Sequence, residues 1–205
     1  MLRQSRFLRS CWNSWNGGCI DLFCVQIGGV QFRFSVSFFA VLAWLFACQD
    51  AAIWQAAFGA CLLHECGHLI MMYVLRQAVR QVTCYGIGIQ IQAESCLYPL
   101  WQDLLVLLAG PFCNLLAAAG LWFCFGSGTA MWMQLGTGFL NLLPFRQLDG
   151  GAALRILLTE RWERLLTVVC VLLAAAGIFY GMTMHITNVT YYGFLLFLFL
   201  MAIWD

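Results

Sequence analysis

The chain has 205 residues, of which 63% are hydrophobic and 9% charged, with a net charge of +1 and a mean hydropathy of +0.84. A water-soluble domain carries about a quarter charged residues, so this composition excludes one and indicates an integral membrane protein. The near-zero net charge argues against nucleic acid as a partner, and the spans leave no room for a separate soluble domain.

The first 18 residues carry Arg3, Arg6 and Arg9, then Trp12 and Trp15. They read as a solvated basic tail with interfacial aromatics, followed by one membrane domain over residues 19–205. A signal peptide is not expected, because no short apolar core with a small-residue cleavage site follows directly. Residues 22–34 alternate loosely and hinge at Gly28-Gly29, which predicts a β-hairpin. Residues 82–92 alternate more strictly and read as a further strand-like piece. The two pieces are expected to pair into a small sheet at the membrane surface. An exposed edge there can take an extended substrate segment as an added strand; bracing the helices is the alternative.

Apolar runs at about 35–48, 52–75, 103–125, 129–145, 164–182 and 189–204 give six candidate spans. Several are shorter than the roughly 20 residues of a straight crossing, so tilted or broken helices are expected. With the N-terminus inside, all 10 arginines fall on the cytoplasmic side, and there are no lysines. The fold class is therefore an all-α multi-pass membrane protein of about six helices, with a small β-sheet at the cytoplasmic face and both termini cytoplasmic. The 11 cysteines include no CxxC pair. Most lie in or beside apolar runs, where they pack as small hydrophobes.

The second span contains His64-Glu65-Cys66-Gly67-His68. Residues i and i+4 share a helix face, so His64 and His68 can offer two imidazoles to one metal ion. Glu65 stands beside them as a base for water. Cys66 lies about 200° round the helix from His64 and is a poor ligand. Two histidines and a glutamate satisfied by their neighbours are the plain alternative, but polar groups at bilayer depth are costly without a function. The pattern points to zinc hydrolysis some 17 Å from either end of the span, below the membrane surface.

Zinc hydrolase sites take three protein ligands. Glu94, Glu160 and Glu163 lie in polar inner segments, Asp103 complements the dipole of the third span, and His185 falls in an outer loop. Asp149 follows the stretch Asn141-Leu-Leu-Pro144, where Pro144 breaks the fourth span and Gly150-Gly151 permit a tight turn. Irregular backbone at that depth must line an enclosed or wet cavity. Asp149 is thus a candidate ligand, the N-cap of the next helix, or both.

His64-Glu-Cys-Gly-His68, Ala109-Gly-Pro-Phe-Cys-Asn114, Asn141-Leu-Leu-Pro144 and Leu148-Asp-Gly-Gly151 together resemble the site-2 protease family of intramembrane zinc metalloproteases, peptidase family M50. The similarity runs from about residue 20 to the C-terminus. The strand placement is most similar to the stage IV sporulation protein FB branch. The resemblance implies one zinc per chain held by His64, His68 and Asp149, with Glu65 as general base. It implies that Asn141 holds the substrate backbone or the oxyanion. Asn114 either shares that role or satisfies carbonyls freed by the Gly110-Pro111 kink. It further implies a membrane-protein or membrane-adjacent peptide as substrate, the lipid bilayer as setting, a regulatory membrane protein as a candidate second partner, and the bacterial cytoplasmic membrane as location. Many members carry a proline where this chain has Gln147, which bears on the rigidity of the loop. The sporulation branch usually adds a CBS domain, and neither that nor a PDZ-like insertion is expected here.

Two other function classes compete with a protease. A zinc-binding scaffold needs no base, and an ion-conducting protein needs a series of ligands along a route, which the spans hardly offer. A prenyl-peptide type of zinc protease would draw its third ligand from Glu160 or Glu163.

Overall fold

A computed structural model describes residues 21–27, 29–48, 50–85, 88–93, 98–145, 148–158, 160–185 and 189–203. The basic tail, Glu94, Arg146, Gln147 and the side chains of Glu160 and Glu163 lie outside what it describes. The chain divides into two compact units, Met1–Gly138 and Phe139–Asp205.

The first unit opens with β1 (Asp21–Ile27) and β2 (Val30–Ser35), an antiparallel hairpin. Gly29 sits at φ 88°, a left-handed conformation that a two-residue hairpin loop requires and that glycine adopts without strain. Helices α1 (Val36–Cys48) and α2 (Ala51–Val74) then carry the chain over to β3 (Val79–Tyr85), which pairs parallel with β2. Ser35 caps α1, its hydroxyl accepting from the Phe38 amide at 3.3 Å. α2 ends in a Schellman turn: Gln77 N–H donates to the Met72 carbonyl at 2.8 Å and Arg76 N–H to Tyr73 at 3.1 Å. Arg76 itself occupies the left-handed position, at φ 55°.

β3 returns antiparallel as β4 (Gly88–Ala93), completing a sheet of order β1-β2-β3-β4. Residues 82–92 are therefore a second hairpin, not one strand. In register, Phe32, Val82 and Ile91 share one face, while Gln31, Gln81 and Gln92 share the other. The apolar face packs on the end of α2: Met72, Val82 and Ile91 form a core with Leu69, Phe32, Ile89 and Val106. The sheet is thereby set against the helix turn that follows the histidines.

α3 (Leu100–Phe125) and α4 (Thr129–Asn141) follow. α2 and α3 pack along their length, and α4 meets α3 where Gly138 faces Leu115 and the Pro111 carbonyl. The second unit holds α5 (Asp149–Leu157), α6 (Glu160–Thr183) and α7 (Val189–Ile203). Cys170 and Ala174 of α6 pack with Leu198 and Ala202 of α7 around Phe145.

Among the described residues, three helices are long and apolar enough to cross a membrane: α2, α3 and Leu165–Thr183 of α6. α1, α4 and α7 occupy the other expected places with 13, 13 and 15 residues, shorter than a straight crossing of about 20. Tyr73, Phe123 and Phe125 are more than four-fifths exposed, which suits an apolar solvent rather than water.

Candidate active site

The motif lies on the face of α2 that is buried against α3. Ala60, His64, Gly67, His68 and Met72 are the buried positions, spaced three and four residues apart as one helical face demands. Facing them on α3 are Val106, Gly110 and Asn114, also four apart. The helices meet almost backbone to backbone. A Cβ at Gly67 would stand 2.9 Å from the Ala109 carbonyl oxygen and 3.0 Å from the Gly110 Cα. Gly67→Ala is accordingly expected to destabilise the fold by about 1–3 kcal/mol, read as lower resistance to denaturant in detergent.

That close approach leaves room for the imidazoles over Gly110. His68 Nδ1 lies 2.7 Å from the Val106 carbonyl oxygen. A carbonyl can only accept, so Nδ1 carries the proton and Nε2 of the neutral ring presents a lone pair. That Nε2 points at His64 Nε2, 3.1 Å away, with the rings nearly perpendicular at 88°. Two nitrogens each bound to a tetrahedral zinc stand roughly 3.3 Å apart. The pair therefore has the separation of two donors aimed at one point, with the His68 tautomer fixed by the carbonyl behind it.

Glu65 is half-buried beside the pair. Its charge reaches the sheet: the buried Cys84 thiol of β3 is pushed above its ordinary pKa, first by burial and then by the Glu65 carboxylate. The third strand therefore runs close to the base. Asp103 lies in the first turn of α3, as expected of a dipole partner, and His185 is exposed just after α6.

In the second unit, the turns after α4 tighten: Leu142 N–H donates to Phe139 and Leu143 N–H to Leu140, each at 3.1 Å. Pro144 follows. Phe145, 3% exposed, anchors the break among α6 and α7, and the Cys170 thiol donates to the Pro144 carbonyl at 3.0 Å. The chain then turns into α5 so tightly that a Cβ at Gly150 would run into the Leu142 backbone. Gly150 thus sets the start of α5, with Asp149, on the turn that follows Asn141, and both side chains are half-buried. Gly150→Ala is expected to push the two apart, read as lost resistance to proteolysis in the 142–150 segment. The N-cap of α5 is Leu148, with no side-chain capping bond. Asp149 is the first residue inside the helix rather than its cap.

Asn114 is buried between α2 and α3 and donates from Nδ2 to the Ala60 carbonyl at 3.2 Å. Two further contributors, the Val106 carbonyl and Gly110, do not emerge from the sequence. The carbonyl belongs to the backbone, and Gly110 reads there as part of a kink. The spacing 106, 110, 114 is the signal that could have marked a common face.

No protein-family model and no curated protein matches the chain. Among solved structures, it is similar to the site-2 protease from Methanocaldococcus jannaschii, with a TM-score of 0.63 over 92% of this chain and 95% of that one. At 19% identity the likeness is one of fold.

Proposed function

We propose that this chain is an intramembrane zinc endopeptidase of the site-2 protease type, with His64, His68 and Asp149 holding one zinc ion and Glu65 acting as base. The observation that carries the proposal is the pair of converging imidazole nitrogens, one with its tautomer fixed by a backbone carbonyl. Two imidazoles and a carboxylate are a donor set that could hold a divalent metal, and they are hard enough for zinc.

Zinc, when bound, acidifies water and polarises a carbonyl. Glu65 accepts the proton of the attacking water and passes it to the leaving amine. Asn141, on the turn that abuts the start of α5, holds the substrate backbone or the developing oxyanion through its amide. A substrate helix hides its carbonyls in i→i−4 bonds, so it must be extended before attack, and the sheet edges offer main-chain partners for such a segment. The substrate class is a membrane-embedded or membrane-adjacent segment of another protein. In this reading the six candidate spans all traverse or enter a bacterial cytoplasmic membrane with both termini inside, and the strand arrangement favours the stage IV sporulation protein FB branch.

The test is capture of substrates on the Glu65→Gln variant, followed by incubation of the captured proteins with wild type in vesicles. Cleavage within or beside a membrane segment, stopped by a chelator and restored by zinc, is expected. Zinc uptake with no cleavage of any captured protein would favour a scaffold instead, and zinc flux across the vesicle would favour a conducting protein.

A further inference from the structure

Asn114 is the least exposed polar side chain among the described residues of the first unit, at 0%, and sits in the middle of an apolar helix pair. Its Nδ2 donates to the Ala60 carbonyl, while its Oδ1 has no hydrogen-bond partner among the described residues. A buried amide with its oxygen unmet is costly at bilayer depth. Packing alone does not account for it, because a leucine of similar shape would avoid the cost.

The position of the bond does account for it. In an α-helix the carbonyl of residue i accepts from the amide of i+4, so the Ala60 oxygen belongs to the turn that ends at His64. Asn114 lies one turn along α3 from Gly110, against which both imidazoles rest. The two helices are thus pinned at successive levels, the rings over Gly110 and the Ala60 carbonyl on Asn114. Side-chain atoms stand about 6 Å from a helix axis, so a rotation of α2 by about 10° would carry the His64 ring about 1 Å off target. At the upper level the His68 bond to the Val106 carbonyl resists that rotation; at the lower level the Asn114 bond to the Ala60 carbonyl resists it on the turn that ends at His64.

We infer that Asn114 is a positioning residue for His64, its amide clamping α2 through the Ala60 carbonyl and so fixing the angle at which the first imidazole meets the metal. It is not a substrate or oxyanion contact: the side chain is fully buried and so sealed from any entering peptide. This inference rests on the metalloprotease proposal above.

The test uses the full-length protein in detergent, with cobalt(II) as a spectroscopic probe of the metal site and cleavage kinetics beside it. Asn114→Leu is expected to fold at least as stably as wild type, because it removes the unmet Oδ1. It should nonetheless bind cobalt at least about tenfold more weakly, with altered visible bands. Its kcat should fall while KM stays the same. Asn114→Ala adds no bulk and should show the same split if the leucine variant does not accumulate as folded protein. Wild-type cobalt affinity and spectrum in either folded variant would overturn the clamp. A raised KM with unchanged cobalt binding would overturn it too, restoring the substrate role. If wild type itself takes up no cobalt, the metalloprotease proposal fails, and the clamp with it.

Discussion

Replacing Glu65 by glutamine should lower cleavage by about a hundred- to ten-thousand-fold while leaving one zinc per chain. The amide has the shape of the carboxylate but cannot take the proton of the attacking water. The ligands are expected to be untouched, because the two imidazoles reach each other and the Val106 carbonyl without Glu65. The buried Cys84 thiol gives an independent readout in the metal-free protein. Its raised pKa has burial as the first cause and the Glu65 charge as the second. Removing that charge lowers the thiol pKa toward its ordinary value, so more thiolate is present at a given alkaline pH. Alkylation of Cys84 by a small reagent should therefore quicken in Glu65→Gln. Full cleavage in the variant would remove Glu65 from its assigned role.

Gly110→Ala should abolish high-affinity zinc binding and, with it, cleavage, each by at least about a hundredfold. A methyl there would stand 2.5 Å from His68 Nε2 and 2.9 Å from His64 Cε1. Both rings must turn away, and His68 cannot do so while keeping its bond to Val106. Gly120 on the same helix has no atom within 4 Å of an added Cβ. Gly120→Ala should therefore be silent in zinc binding and neutral or slightly stabilising, since alanine is the better helix former by about 1 kcal/mol. Metal titration of the two variants separates loss of space over α3 from a general effect of replacing helical glycine.

Much of this was legible in the sequence because it rests on period and chain breakers. The HExxH spacing puts His64 and His68 on one face whatever surrounds them. Pro144 ends α4 near the expected place because it cannot donate, and the first hairpin turns through Gly29 because a residue there must adopt a left-handed backbone. What escaped the sequence depends on partners far along the chain. The proton on His68 Nδ1 is fixed by a backbone oxygen 38 positions away, which no side-chain pattern records. Gly110 reads as a kink beside Pro111 until the rings are seen to lie over it. The second hairpin was hidden because alternation persists through 82–92, but its phase slips between Cys84 and Ile89, where Tyr85 pairs with Gly88. That slip marks a turn. The sequence favours Asp149 as a ligand while leaving a cap role open, and the cap position is taken by Leu148.

The most direct measurement is zinc K-edge X-ray absorption on the purified full-length chain and on Asp149→Ala. The wild type should contain one zinc per chain in a shell of nitrogen and oxygen only, two imidazoles plus oxygen donors at about 2.0–2.2 Å. Asp149→Ala should lose the metal or replace one oxygen of that shell. A zinc–sulfur distance of about 2.3 Å would mean that cysteines near the motif hold the ion, and a wild type free of zinc would mean that no metallopeptidase site exists. Either result would contradict the assignment of His64, His68 and Asp149 as the ligands of a hydrolytic zinc.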